Sequence, residues 1–143
     1  MYGGVTLSML TLGQLRRRRE GADVNSETML DISSVLILLT AVGGVLMAGI
    51  RFRGHRNPPS WLALMHGLLA GAGLTLLAYV VLLGDAPVGA VVAAVLFVLA
   101  AAGGVVLNLA YHNKNRPLPK GLTLAHAALA TVAFVLLVAA SWG

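Results

Sequence analysis

The sequence predicts an all-α membrane protein: four transmembrane helices formed by tandem duplication of one helical hairpin. Three observations predict it. Of 143 residues, 58% are apolar and only 10% charged, and the mean hydropathy of +0.86 lies far outside the range of soluble domains. Four runs, about 32–50, 61–83, 87–111 and 122–142, are long enough to cross a bilayer and hold no Asp, Glu, Lys or Arg in their interiors. Residues 35–77 align with 95–137 at a constant offset of 60, without gaps and with 16 identities in 43 positions.

Residues 1–28 come first and fit the scheme least well. The stretch "LRRRREG" puts Arg16 to Arg19 ahead of the first apolar run, and the apolar residues before it are too few and in the wrong order for a secretory signal. We expect a basic arm that is disordered or absent from the native protein, whose start is then Met29. The remaining 29–143 form one four-helix domain, with repeat 1 at about 31–84 and repeat 2 at about 91–143.

Helix 1 carries Gly43 and Gly44 and leads into a loop with Arg51, Arg53 and Arg56. Pro58 and Pro59 then open helix 2, where Trp61 reads as an interfacial anchor and His66 sits inside an apolar run. Gly67 and Gly71 on the same helix have the spacing of a small-residue packing face. The connection "GDAP" makes a tight turn, with Asp85 as the expected N-cap and Pro87 as the first residue of helix 3. Helix 3 repeats the glycine pair as Gly103 and Gly104, and its Asn108 stands where repeat 1 has Ala48. A second basic loop with Lys114, Arg116 and Lys120 leads to helix 4, which carries His126 and ends at Trp142. His55 and His112 lie in or beside the basic loops, are not repeated, and read as solvated surface groups.

The charge pattern reads as topology. Beyond residue 28 every Lys and Arg falls in the two loops, so loops 51–60 and 112–121 are expected on the cytoplasmic side of the cell membrane and both termini outside. The net charge of +5 therefore implies no nucleic acid, and the absence of cysteine excludes disulfides and thiolate chemistry. Because each unit crosses twice, the repeats run parallel and are related by a pseudo-two-fold axis along the membrane normal. His66 and His126 then lie at equal depth, about 8 Å inside the cytoplasmic boundary. The two glycine pairs come from the other two helices at a similar level.

A lone intramembrane histidine among small residues can simply hydrogen-bond a neighbouring helix. Two at one depth raise a second reading, axial ligation of one haem b by His66 and His126. Diagonal helices of a square bundle are separated by about 11–14 Å, closer than adjacent ones to the span of a bis-His haem. Gly43, Gly44, Gly103 and Gly104 would leave volume for the porphyrin edges, and the basic loops could pair with its propionates.

Over about 100 residues this arrangement resembles the haem-binding four-helix core of membrane b-type cytochromes, in which two helices supply histidines and the alternating two supply glycines. The chain departs from that pattern in having one histidine per ligating helix, where those cytochromes usually have two for two stacked haems. The resemblance implies electron transfer, with His66 and His126 as candidate ligands and the four glycines as candidate packing positions.

Other activities are set aside. No intramembrane carboxylate is present to couple H⁺ or Na⁺ transport, and there is no phosphate-binding glycine loop, HExxH or Ser/His/Asp set. The chain is not expected to be an enzyme by itself. Two functions remain: a small b-type cytochrome or haem-binding membrane anchor, and a non-catalytic scaffold or accessory subunit that binds other transmembrane helices, or a second copy, through Gly/Ala faces. On the first, Asn108 and His112 are candidates to line a quinone or substrate pocket at the cytoplasmic boundary.

Overall fold

The computed structural model describes residues 3–54, 56–84 and 86–142, and places them in four long helices joined by short connections. Helix α1 runs Gly3–Gly54, α2 Ser60–Leu83, α3 Val88–Val106 and α4 Lys120–Trp142. A π-helical turn, Leu107–Tyr111, and a 3-10 turn, His112–Lys114, prolong α3. Among the described residues no strand occurs. The segments Asn25–Gly54, Ser60–Leu83, Val88–Lys114 and Lys120–Trp142 are each long and apolar enough to cross a membrane. Only 11–33% of each apolar window is buried inside the bundle, so most of that surface faces outward, as suits a lipid solvent.

Prolines set the element ends. All five lie in the connections, and the first is Pro58, so nothing upstream interrupts α1. Residues 3–28, part of the arm expected to be disordered or absent from the native protein, are helical here and continuous with the first span, which begins at Asn25 rather than near Ile32. Pro59 and Pro87 occupy N-cap positions in extended conformation, and their carbonyls accept the first amides of α2 and α3. Pro87 was expected one position later, with Asp85 as the cap; Asp85, like His55, lies outside the described residues. The chain leaves the end of α3 through a paired-bond C-cap: Asn115 adopts a left-handed conformation (φ 53°), its amide donates to the His112 carbonyl, and the Arg116 amide to that of Tyr111.

Each hairpin packs within itself, α1 on α2 and α3 on α4, and the two are joined along α1–α4 and α2–α3. Helices α2 and α4 are thus diagonal. At the end away from the basic loops the core is filled by Leu30, Ile37, Leu77, Val80, Ala90, Ala93, Phe97, Ala133 and Leu137. Positions 60 residues apart match in burial: Ile37 with Phe97, Gly73 with Ala133, Leu77 with Leu137. The hairpins differ in polarity at such positions, because Ser33 and Ser34 stand opposite Ala93 and Ala94. Ser33 donates to the Gly73 carbonyl at 2.8 Å. Ser34 is 3.0 Å from the Ser141 hydroxyl, which itself donates to the Leu137 carbonyl, so Ser34 is the donor of the pair.

The basic loops interlock. Arg51 is buried, and its Nε donates to the Leu118 carbonyl of the other loop at 2.9 Å. Asn57 donates to the Arg116 carbonyl and accepts from the Leu118 amide. The expected cost of Arg51→Ala, which strips a buried carbonyl of its partner, is about 1–3 kcal/mol, read as a lowered unfolding midpoint in detergent. Arg53→Ala, at an exposed position on the same turn, is expected to change it by less than about 0.5 kcal/mol.

Candidate functional site

Two imidazoles face each other across the centre of the bundle. The rings of His66 on α2 and His126 on α4 have centroids 6.3 Å apart, at an interplanar angle of 63°. Each is half-buried and held in the same way by the other helix of its own hairpin. Nδ1 of His66 donates to the Thr40 carbonyl at 2.9 Å, and Nδ1 of His126 to the Ala100 carbonyl at 2.8 Å.

The glycine pairs make these bonds geometrically accessible. A helical carbonyl points toward the side chains three and four residues further on, and for Thr40 and Ala100 those positions are Gly43–Gly44 and Gly103–Gly104. With no side chains in the way, the imidazole lies in the notch. A Cβ on Gly44 would stand 3.2 Å from Cε1 of His66, and one on Gly104 at 3.2 Å from Cε1 of His126. The volume these glycines free is occupied by the histidine rings themselves, where sequence reasoning assigned it to porphyrin edges.

The hydrogen bond also fixes the tautomer. With Nδ1 carrying the proton, Nε2 of each neutral ring keeps a lone pair, and neither Nε2 has a hydrogen-bond partner among the described residues. No buried side-chain nitrogen or oxygen among them lacks a partner, so both Nε2 atoms border open space. An Nδ1–H fixed on a backbone carbonyl and a free Nε2 are the two halves of an oriented metal-ligating histidine.

The other candidates lie elsewhere. Asn108 sits in the π-helical turn, is exposed, and makes no hydrogen bond with either histidine. The matching stretch of α1 has no π-turn, and there the equivalent Ala48 is half-buried. His112, expected in solvent, is half-buried and donates from Nε2 to the Pro58 carbonyl at 2.8 Å, a fourth hydrogen bond between the basic loops. Gly67 and Gly71 are exposed with nothing within 4 Å of an added Cβ, so they pack no helix of this chain.

Sequence reasoning missed the buried serines. Their signal was present in "DISSVL", two hydroxyls where the equivalent stretch of the second hairpin has alanines. Compared with known proteins, the chain matches no protein family, no curated protein and no solved structure.

Proposed function

We propose that this chain is a small multi-pass b-type haem protein of the cell membrane, in which His66 and His126 would hold the iron through Nε2 and the haem would supply one-electron transfer to or from a quinone or a partner subunit. The observation that carries this reading is the opposed imidazole pair, each ring oriented by an Nδ1–H bond and each with its Nε2 free. With ring centroids 6.3 Å apart, both imidazoles are near enough that they would hold one metal between them.

The donor set favours a macrocycle over a bare ion. No group of three or more His, Cys, Asp or Glu residues able to hold a metal occurs among the described residues. Two imidazoles alone underfill a structural ion site, but they complete the coordination of a group that brings four equatorial nitrogens of its own. When bound, such a group supplies a one-electron couple. The chain's own residues engage Nδ1 of each ring with a carbonyl, keep the rings in their notches and surround the pair with apolar helix faces. The exposed Lys114, Arg116 and Lys120 are cations for propionates or for the cytoplasmic surface, whereas Arg53 and Arg56 line the outer face of α1 and Arg51 is committed to Leu118.

The same reading includes the arrangement: hairpins 31–84 and 91–143 as parallel tandem repeats, with loops 51–60 and 112–121 cytoplasmic and both termini outside. Two carbonyl–imidazole bonds, each spanning 26 residues and lying 60 apart in the chain, support it.

Chain purified from haem-replete cells is expected to show a Soret and an α band that sharpen on dithionite reduction, and a low-spin bis-imidazole signal when oxidised. A chain that stays colourless after growth with added haem precursor would remove this reading. The scaffold alternative rests on the open faces of Gly67 and Gly71. It predicts a colourless protein that co-purifies with membrane partners, or with a second copy, and loses them on Gly67→Leu.

A further inference from the structure

On the outside of the bundle, away from the histidines, the last three turns of α1 line a groove of about 740 Å³. Its inner part is apolar, formed by Val45, Leu46, Ala48 and Phe52, and Val45 is 72% exposed. Arg53 and Arg56 complete its lining at the loop end. Arg56 reaches it by folding back over the end of the helix, with Cγ and Nε at 3.4 and 3.6 Å from where a Cβ on Gly54 would be. A third cation stands by, the Lys120 ammonium, 5.8 Å from the centroid of the Phe52 ring.

No carboxylate is available to offset them. The acids of the chain are Glu20, Asp23, Glu27, Asp31 and Asp85, and none occurs between residues 32 and 84 or after 85. Like charges gathered without a counter-ion repel, and at a membrane boundary the anion that relieves them comes from the leaflet. The helical part of the groove, from Val45 to Gly54, spans about 14 Å, from the apolar interior to the charged boundary. It therefore offers an apolar channel that ends in two forked donors, the complement of an acyl chain joined to a phosphate.

We propose that this groove is a binding site for one anionic phospholipid of the surrounding leaflet, its acyl chain along Val45, Leu46 and Ala48 and its phosphate between Arg53 and Arg56. Occupancy puts a counter-charge on the α1 end of the interlocked loops, and it is independent of whether the histidines hold haem.

The test uses the full chain in bilayers of equal phosphatidylglycerol and phosphatidylcholine, extracted into mild detergent and weighed by native mass spectrometry. The expected spectrum has one retained phosphatidylglycerol per chain, with phosphatidylcholine adducts about tenfold rarer. Two independent variants should each reduce that adduct about tenfold: Arg53→Gln with Arg56→Gln, which removes the donors, and Gly49→Leu, which fills the groove at a site with nothing within 4 Å of an added Cβ. Lys114→Gln with Arg116→Gln removes the same charge elsewhere on this end and should leave the adduct within twofold. Equal retention of both lipids, unchanged retention in the groove variants, or equal loss in the control pair would each overturn the proposal, the last by showing diffuse charge attraction. Inorganic phosphate at millimolar concentration should not displace the adduct; displacement would show a phosphate site rather than a lipid site.

Discussion

Either His66→Ala or His126→Ala is expected to abolish the reducible Soret and α absorbance, and the two losses should be equally complete. Axial ligation by two imidazoles needs both, so the effect is all-or-none where a packing role would be graded. The variants are also expected to fold. The Thr40 and Ala100 carbonyls are helical acceptors whose own helix amides, four residues on, remain when the imidazole is removed, so neither is orphaned. Interhelical side-chain hydrogen bonds in membranes are worth about 0.6 kcal/mol on average, too little to unfold the bundle. Absorbance and unfolding midpoint measured on the same preparations separate the two roles. Colour retained in either variant would sink bis-histidine ligation; colour lost together with the fold would leave the histidines as structural.

Gly73→Leu is expected to give the largest loss of stability, about 3 kcal/mol or more, seen as aggregated or protease-sensitive protein after extraction. A Cβ at residue 73 would meet Ile37 Cδ1 at 2.9 Å and Cγ1 at 3.0 Å, with Leu36 Cβ at 3.4 Å behind them. Ile37 is buried in the core and cannot swing into lipid, and the Gly73 carbonyl must stay close enough to accept from Ser33. Gly67→Leu on the same helix adds the same side chain into open space and is expected to leave the midpoint within about 0.5 kcal/mol. An unfolding series in detergent on the two variants checks the pair. Equal tolerance would mean that α1 and α2 pack less closely than the Ser33–Gly73 bond implies.

What could be read from the sequence followed from how strongly each residue type is constrained. The four spans were legible because hydrocarbon excludes charge over a fixed length; spans 2 and 4 end where expected, whereas the first runs from 25 to 54 and the third to 114, because helices continue through polar residues past the apolar run. His66, His126 and the glycine pairs stood out because Gly-Gly and His are rare in register across an offset of 60. Their mutual geometry was not legible. Spacing put glycine and histidine at one depth, but only the backbone shows that residues three and four beyond a carbonyl must lack side chains for an imidazole to reach it. Asn108 stands out in the sequence for its asymmetry, and the π-turn in which it lies has no signature in residue type. His112 was placed in solvent from its basic neighbours, whereas the Pro58 carbonyl beside it comes from a loop 54 residues earlier in the chain.

The seam between α1 and α4 has a further consequence for biosynthesis. At the end away from the basic loops, two of the polar ties across it, Ser34 to Ser141 and Trp142 Nε1 to Asp31, bridge 107 and 111 residues of chain. Neither can form until α4 has left the ribosome and entered the bilayer. Until then Ser34, destined to be almost fully buried, has no Ser141 hydroxyl to bond, and the side of α1 that α4 covers is open to whatever membrane factor attends insertion. The α1–α4 seam is therefore the last part of the bundle to close as the chain is made.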